Sequence, residues 1–394
     1  MLRYLTAGES HGPALTAILE GMPAGVPVSA ERVNRDLRRR MQGYGRGGRM
    51  QIERDEAEIQ SGVRHGKSLG SPIALRIANR DWENWRRTMA VEGPADSHPP
   101  ERPPVTRPRP GHADLGGGLK FDQHDLRNIL ERASARETAA RVAVGALCKC
   151  LLHAFGIELF GHVVEMGGIR ARLDGLSLEE IRTQAEESPL RCADPMAARQ
   201  IMARVDDAQA RGTSLGGVFE IQALHLPAGL GSHAHWDRRL DGRLARALVS
   251  IQSVKGIEIG PAFESARQLG ALVQDEIAYD ASRPGRAGGF FRTTNFAGGL
   301  EGGITTGQPL VLRAAMKPIS TQQSPLASVD VVSKQSSAAG VERTDVSAVP
   351  AGSVVGEAAV AFELARALRE KCGGDSLEEM RRNFDAYLEQ LGRY

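Results

Sequence analysis

Two histidines of this 394-residue chain lie in glycine-rich turns, where their side chains could transfer protons to or from a ligand. His11 stands in the segment 8–12, and His112 follows a glycine in the segment 106–114. Glycine lets the backbone approach a ligand closely, and imidazole changes its charge near neutral pH. Either histidine alone would be interpreted as an ordinary loop residue, so the functional interpretation depends on the groups that accompany them.

Arginines accompany both histidines and recur in at least four separated segments. Five arginines flank four glycines at 38–49, two alternate with prolines at 107–110, and others lie at 131–139 and at Arg343. The planar guanidinium binds phosphate and carboxylate through two parallel hydrogen bonds. A solvated helix end would explain Arg38–Arg40 equally well, but not the later arginines of that segment. The arginines together predict a site for a small ligand with several negative charges.

Two shorter motifs could add to such a site. Lys317–Thr321 combines a lysine with two hydroxyls at a predicted turn, which would suit a phosphate. Arg343 precedes Asp345 by two residues, so an extended chain would place both on one face and keep the aspartate ionised. Each has an ordinary alternative: a solvated lysine in the first case, a structural ion pair in the second.

Composition and absent motifs exclude several classes of protein. The net charge of +2 and the 5% aromatic content argue against an arginine-rich RNA-binding protein, which would stack bases on aromatic rings. The sequence contains no cluster of cysteine and histidine that would indicate a metal site. It also contains no glycine-rich phosphate-binding motif that would indicate a Rossmann domain. We therefore expect neither a metal nor a nucleic-acid partner.

Four cysteines without a C-x-x-C pair indicate free thiols in a reducing compartment. The first twelve residues lack the features of a signal peptide. The most apolar predicted helix, at 142–155, contains Lys149 and is too short to cross a bilayer. These features predict a cytoplasmic protein without a membrane partner.

Mixed helix and strand patterns favour an α+β fold with antiparallel sheets. Helices are predicted at 29–40, 122–155, 196–211 and 236–251, and after the capping pairs Ser177/Glu180 and Ser376/Glu379. Strands are predicted at Leu15–Leu19, Ile73–Ile77, Val218–Ile221 and Leu310–Leu312. The seven prolines of 94–110 predict a surface loop.

Two sequence motifs recur in the same order in both parts of the chain. The segment 22–25 resembles 226–229, and the segment 70–76 resembles 307–313. One match could be chance, but two in register favour duplication. We therefore predict one large domain, 1–394, of two pseudo-symmetric halves at about 1–210 and 211–394, with a site between them.

Taken in order, these segments resemble the chorismate synthase family over nearly the whole chain, from Met1 to about Gly374. The family signatures correspond to 8–23, 131–139 and 343–357, and the segments 38–49, 107–114 and 317–321 also match. The resemblance implies a β-α-β sandwich, assembled as a homotetramer, with antiparallel sheets around central helices. It implies a trans-1,4 elimination of phosphate from 5-enolpyruvylshikimate 3-phosphate that requires reduced FMN without net redox change.

The resemblance also implies roles for individual residues. His11 would protonate the leaving phosphate, His112 would stabilise the reduced flavin, and Asp345 would accept a proton from the N5 side of the flavin. The residues it assigns to the substrate are Ser10, Arg40, Arg46, Arg49, Arg109, Arg136 and Arg343. Those it assigns to FMN are Arg132, Ala133, Ser134, Gln252, Ser253, Gly302, Lys317, Pro318, Ile319, Ser320, Thr321 and Arg343.

Some implications stay open. Arg40 and Arg46 correspond to nicotinamide-nucleotide contacts in some family members, so NADPH is a candidate ligand and an indirect reductant. A bifunctional enzyme would reduce its own flavin, but no added segment indicates this, and we expect an external flavin reductase. Thr344, Ser253 and Ala133 depart slightly from the residues that are usual in the family, which affects the fine geometry of the flavin pocket.

Overall fold

The computed structural model describes residues 1–46, 55–92, 101–283, 285–342 and 345–394. Two arginines predicted to bind the substrate, Arg49 and Arg343, lie outside these ranges. So does much of the proline-rich segment predicted as a loop at 94–110. The remaining predicted site residues are all described.

Helices and short strands alternate irregularly along the described chain. The α-helices are α1 (Ala30–Met41), α2 (Asp114–Phe121), α3 (Arg127–Ala133), α4 (Thr138–Ala154), α5 (Leu178–Glu187), α6 (Pro195–Ala210), α7 (Leu240–Val249), α8 (Ala262–Ser265), α9 (Val349–Cys372) and α10 (Leu377–Gly392). Short 3₁₀ turns cover Trp82–Asn84, Ala135–Glu137, Trp236–Arg238 and Gly270–Leu272.

The strands are mostly short. They are β1 (Arg3–Ala7), β2 (Ala14–Glu20), β3 (Ala57–Ile59), β4 (Val63–Arg64), β5 (Lys67–Ser68), β6 (Ile73–Ala78), β7 (Glu158–Met166), β8 (Ile169–Arg170), β9 (Gly217–Leu224), β10 (Val254–Ile259), β11 (Ile277–Tyr279), β12 (Phe290–Arg292), β13 (Leu300–Glu301), β14 (Ile304–Thr305), β15 (Leu310–Met316), β16 (Ala327–Val329) and β17 (Ser336–Ala338).

Two larger sheets carry the fold. One has four strands in the order β1-β2-β6-β3, and the other has five in the order β10-β15-β9-β7-β8. Neighbouring strands run antiparallel in both sheets. Alternate residues of β6, namely Ile73, Leu75 and Ile77, are buried, as a sheet with one covered face requires. The predicted α+β class with antiparallel sheets is confirmed.

Helices α4 and α9 form the centre of the core. They pack against each other; α4 also contacts β2 and β6 of the first sheet, and α9 contacts β7 and β9 of the second. Gly145 of α4 allows this close approach. A Cβ atom at Gly145 would lie 2.3 Å from the Cβ of Ala358 in α9.

Helix starts followed the sequence signals closely. Ser177 and Glu180 form the predicted reciprocal capping box at α5, and Asp194 caps α6 at the predicted proline. At α10 the Ser376 hydroxyl accepts the predicted hydrogen bond from the backbone N–H of Glu379. The strands predicted from apolar runs are present as β2, β6, β9 and β15.

Two helix predictions were wrong in part. The single helix predicted over 122–155 is divided into α3, a 3₁₀ turn and α4, because Ser134 adopts an extended conformation and its hydroxyl accepts from the N–H of Arg136. Residues 236–251 likewise divide, because Arg239 is extended and α7 begins only at Leu240. Apolar spacing continued through both breaks and did not reveal them.

Both copies of the first recurring motif, 22–25 and 226–229, make the same contact with a hydroxyl two residues before the second motif. The Ser68 hydroxyl donates to the carbonyl of Pro23 (2.6 Å) and accepts from the N–H three residues after that proline (2.9 Å). The Thr305 hydroxyl donates to the carbonyl of Pro227 (2.6 Å) and accepts from the N–H three residues later (2.8 Å). Each hydroxyl therefore fixes the turn between a sheet strand and the following helix.

A cluster of buried charges joins the central helices to α1. Glu357 of α9 is fully buried and accepts hydrogen bonds from Arg39 (2.7 Å) and Lys149, with Arg191 at 3.3 Å. Burial alone would raise the pKa of Glu357, but the charges of Arg39 and Lys149 hold it well below its ordinary value. Lys149, which interrupts the apolar pattern of α4, is therefore part of this cluster.

We expect Gly145→Ala to destabilise the protein by about 1–3 kcal/mol, because the added methyl group forces α4 and α9 apart. Gly242→Ala in α7 is the matched control, since a Cβ there meets nothing within 4 Å. Removing that glycine should stabilise the helix by about 0.5–1 kcal/mol. Urea unfolding of both variants measures the difference; equal effects would contradict the proposed close packing.

Acid should weaken the edge of this charge cluster, where the partly exposed Glu186 accepts hydrogen bonds from Arg39 and Arg191. Burial raises the pKa of Glu186, but hydrogen bonds from Arg191 and Arg39 lower it from 4.5 to about 2. The stabilisation from this carboxylate is therefore present above its ordinary pKa and is lost as the pH falls towards about 2. Glu186→Gln should flatten the decline in unfolding free energy over this range, whereas the exposed neighbour substitution Glu187→Gln should leave it unchanged.

Candidate active site

A cavity of about 330 Å³ lies where loops from both parts of the chain meet, a size suited to a small ligand. It is lined by the turn after β1, the loop before α2, the end of α3 with the following turn, and the segments after α7 and β15. The predicted site residues that line it are Ser10, His11, Arg109, His112, Ala133, Ser134, Gln252, Ser253, Lys317, Ile319, Ser320, Thr321 and Asp345.

His11 is fixed by a carboxylate that sequence reasoning did not assign. The Nδ1 atom of His11 lies 2.9 Å from both carboxylate oxygens of Glu131, and its backbone N–H donates to the same group at 2.8 Å. Glu131 is buried on α3, and the indole of Trp85 stacks on the imidazole with the ring centroids 3.7 Å apart. The ring therefore has one defined orientation at the cavity wall.

His112 belongs to a second buried group. Its Nδ1 lies 2.5 Å from Asp114, which also accepts from Nε of Arg109 (2.9 Å) and from the backbone N–H of that arginine (3.0 Å). Burial by itself would raise the pKa of Asp114, but hydrogen bonds from His112 and Arg109 hold it well below its ordinary value. Asp114 therefore stays ionised and orients both side chains.

The loop that carries this group is anchored at both sides. Arg109 also donates to the hydroxyl of Thr321 (3.0 Å) and to the carboxylate of Glu342 (3.2 Å), and Lys317 donates to the carbonyl of Gly111 (2.7 Å). The segment 94–110 was predicted to be a surface loop, and most of its described part, 101–110, is exposed. Its end, however, packs against the β16–β17 hairpin through a hydrogen bond from Ser328 to the carbonyl of Pro108, which leaves Arg109 buried.

Two predicted substrate arginines converge on one buried acid. Arg136 donates to Asp55, and Nη1 of Arg40 lies 3.4 Å from the other carboxylate oxygen of Asp55. Arg40 also donates to the carbonyl of Ala135 (3.0 Å), which lines the cavity, and to the hydroxyl of Thr138 (3.0 Å). Both arginines therefore lie behind the cavity wall near the N-terminus of α4, where the helix dipole also favours an anion.

Asp345 pairs with an arginine from another part of the sequence. Nη1 of Arg46 donates to Asp345 at 2.6 Å. The predicted partner, Arg343, lies outside the described residues, so that pairing stays a prediction. The arginine–glycine segment is thus linked to the cavity wall through the contact of Arg46 with Asp345.

One wall of the cavity is formed by Gln252 and Ser253, which follow α7. Gln252 donates to Glu137 (2.8 Å), while its own side-chain carbonyl oxygen is buried and has no hydrogen-bond partner among the described residues. Ser253 holds a left-handed backbone conformation (φ +67°), and its carbonyl accepts from the N–H of Lys317 (2.9 Å). An unpartnered buried acceptor at a cavity wall is suited to a ligand with an N–H group.

Three predicted cofactor residues are not among those that line the cavity. Arg132 donates to the carbonyls of Thr6 (2.9 Å) and Gly8 (3.0 Å) and so supports the turn that carries His11. Gly302 forms the β13–β14 turn, and Pro318 lies beside Gly216 on another surface. Their assignment to FMN stays a prediction.

Sequence reasoning missed five residues of the site. Asp114 and Glu131 lie inside quoted motifs, where a carboxylate close to a conspicuous histidine or arginine was the available signal. Trp85, Asp55 and Glu342 had none, because their partners are distant in sequence.

The described residues contain no group of three or more histidine, cysteine, aspartate or glutamate side chains arranged to hold a metal ion. Among the described helices, none combines the length and apolar character that a bilayer crossing requires. All four cysteines are buried and unbonded, as predicted.

Comparison with known proteins gave one consistent result. The profile of the family described as chorismate synthase matches residues 2–368. A chorismate synthase from Geobacter sulfurreducens is 58% identical over 393 residues, 99% of each chain, and one from Aquifex aeolicus is 55% identical over 400 residues, 99% of this chain and 98% of the relative.

A crystal structure of a chorismate synthase superposes with a TM-score of 0.79 and 46% identity, covering 100% of this chain and 99% of the other. The profile, the relatives and the structure all extend over the segments that form the cavity. The chain therefore belongs to the chorismate synthase family.

Proposed function

We propose that the cavity between the two histidines is the active site of a lyase that eliminates phosphate from 5-enolpyruvylshikimate 3-phosphate to give chorismate, the last step of the shikimate pathway. One observation supports assigning this reaction to the cavity. His11 and His112 line the same cavity, each held by a buried carboxylate, with Arg109 and Lys317 beside them. This arrangement combines proton donors with cations, as an elimination of phosphate requires.

The arginines would hold the charged groups of the substrate. Arg109 and Lys317 reach the cavity directly, and Arg40, Arg46 and Arg136 lie behind its wall, tied to Asp55 and Asp345. The substrate carries one phosphate and two carboxylates. Fixed cations stabilise charge that develops on the leaving phosphate without reorganising in the reaction.

The residues present fit the reduced FMN that the family uses. The unpartnered carbonyl oxygen of Gln252, the hydroxyls of Ser134, Ser320 and Thr321, and the amine of Lys317 offer both acceptors and donors at the wall. These residues, with Ala133, Ser253 and Ile319, would hold the cofactor. When bound, reduced FMN supplies transient electron donation to the substrate ring.

The chain's own groups would move the protons. His11 would protonate the leaving phosphate, and His112, held by Asp114, would balance negative charge on the reduced cofactor. Asp345, beside Arg46, would accept a proton. NADPH as an indirect reductant, with Arg40 and Arg46 as its contacts, and an external flavin reductase stay predictions of the same proposal.

We further propose a larger organisation that follows the family. The chain would form one domain of two halves, about 1–210 and 211–394, arranged as a β-α-β sandwich with pseudo-two-fold duplication. The matching hydroxyl contacts of Ser68 and Thr305 support the duplication. The protein would be a cytoplasmic homotetramer; its four unbonded cysteines agree with a reducing compartment.

Anaerobic turnover tests the proposed function. Purified protein, chemically reduced FMN and 5-enolpyruvylshikimate 3-phosphate should release phosphate and form chorismate, which is followed by absorbance. Both products should be lost when the flavin is oxidised. Folded protein that binds FMN but forms neither product would contradict the proposal, and NADPH consumption in air with FMN would indicate a bifunctional enzyme.

Substituting either histidine or the acid behind His112 should lower turnover. We expect His11→Ala and His112→Ala to reduce kcat by about 10²–10⁴-fold, the usual contribution of a positioned proton donor. Asp114→Asn should act in the same direction, because it leaves both Arg109 and His112 without their orienting charge.

Asp237→Asn is the matched control for Asp114→Asn, since Asp237 also accepts from a histidine, His235, but on the exposed surface. That variant should keep full activity. Unchanged turnover in Asp114→Asn would contradict the role of this group.

A further inference from the structure

Glu131 and Trp85 contact His11 from two elements that are far apart in sequence, α3 and the segment around the 3₁₀ turn at 82–84. We propose that they are positioning residues, which together hold His11 with Nδ1 against a carboxylate and Nε2 as the nitrogen that gives a proton to the leaving phosphate. This inference rests on the proposed function of His11 and adds residues that the motifs did not assign.

The contact with Glu131 determines the tautomer of the ring. Both carboxylate oxygens lie 2.9 Å from Nδ1, and an ionised carboxylate only accepts hydrogen bonds. Nδ1 must therefore carry a proton while Glu131 is ionised. The second bond, from the backbone N–H of His11 at 2.8 Å, fixes the carboxylate to the turn as well as to the ring.

The tautomer has a direct chemical consequence. When the imidazolium transfers its Nε2 proton to a phosphate oxygen, the N–H bond breaks, an O–H bond forms, and the ring is left neutral with its remaining proton on Nδ1. That product is the form that Glu131 binds. The carboxylate therefore stabilises the ring both before and after the transfer, in the manner of the acid that orients a catalytic histidine.

Trp85 restricts the imidazole of His11 by stacking on its face. The two rings are 28° from parallel with centroids 3.7 Å apart, and the indole N–H is itself anchored to Asp81 at 2.9 Å. The guanidinium of Arg102 lies 3.9 Å from the centre of the indole. Stacking on an indole restricts rotation of the imidazole.

Several charged groups of the described structure lie near this unit. Arg127 lies 4.0 Å from Glu131 and 5.6 Å from the indole centre, and Asp81 and Arg102 flank Trp85. The charged or titratable side chains that line the same cavity are Arg109, His112, Lys317, Glu342 and Asp345. Glu131 is the carboxylate in direct contact with Nδ1 in the described structure.

Solid-state ¹⁵N spectra of protein labelled in its histidine rings test the positioning directly, without substrate or flavin. The signal that disappears in His11→Asn is assigned to His11. At a pH where that ring is neutral, we expect the Nδ1–H tautomer in the unsubstituted protein. Glu131→Gln should shift the population towards the Nε2–H tautomer that free histidine prefers.

Glu363→Gln is the matched control, because Glu363 is also a buried glutamate, paired with Arg243 away from the cavity. It should leave the His11 signal unchanged. An unchanged tautomer in Glu131→Gln would overturn the assignment of Glu131, whether or not the protein proves to be a lyase.

Turnover with chemically reduced FMN then tests the consequence for catalysis. Glu131→Gln should lower kcat by about 10²–10⁴-fold, with KM nearly unchanged, because proton transfer is affected and substrate binding is not. Glu131→Asp, which keeps the charge, should recover part of the rate. A shifted tautomer with unchanged kcat would overturn the proton-donor half of the proposal.

The role of Trp85 is tested by comparing kcat of the variants Trp85→Phe and Trp85→Leu. Trp85→Leu should lower kcat by about threefold to tenfold, and Trp85→Phe should lose less because it keeps a stacking face. Trp82→Leu, in the same turn, is the control and should change kcat little. Equal losses in Trp85→Phe and Trp85→Leu would show that stacking does not contribute. If Glu131→Gln fails to fold, Glu131→Asp still decides the proposal: it keeps the carboxylate and should keep the Nδ1–H tautomer, whereas the Nε2–H tautomer would overturn the assignment.

Discussion

Buried charge has to be paired, and this requirement determines how the site is built. A charged side chain removed from water without a partner is strongly destabilising, so an anion-binding cavity cannot simply be surrounded by buried arginines. In this protein an acid accompanies each described arginine that is predicted to bind the substrate: Asp114 and Glu342 at Arg109, Asp55 at Arg40 and Arg136, and Asp345 at Arg46. The acids fix the direction of each guanidinium before any ligand arrives.

The fold supplies the rigid frame for these pairs. The close contact of Gly145 with Ala358 brings α4 and α9 together, and the cluster around Glu357 ties α1 to both. Arg39 anchors α1 to the cluster around Glu357. Because Arg40 follows Arg39 in this helix, the same anchor places Arg40 beside the turn that precedes α4. The stability of the core and the geometry of the cavity wall therefore depend on the same helices.

Local features of the fold could be predicted from the sequence because their causes are local. A serine three residues before a glutamate predicts a cap, and an apolar run between glycines predicts a strand. The break at Ser134 could not be predicted in this way, since it depends on a backbone conformation that apolar spacing does not report. The motifs similarly identified His11 and His112 but not what holds them. Glu131 lies 120 residues from His11, and only the packing of α3 against the first turn brings the two together.

The pairing also bears on how a polyanionic ligand is recognised. Since Glu342 and Asp345 line the cavity with Arg109 and Lys317, the described lining is not a simple excess of positive charge. A uniformly cationic cavity would attract any phosphate, and it would do so equally before and after elimination. Oriented guanidinium groups with acids behind them favour instead the geometry in which several anionic groups meet separate cations. Selectivity for a substrate with three anionic groups then follows from spacing rather than from net charge, which agrees with a chain whose overall charge is only +2.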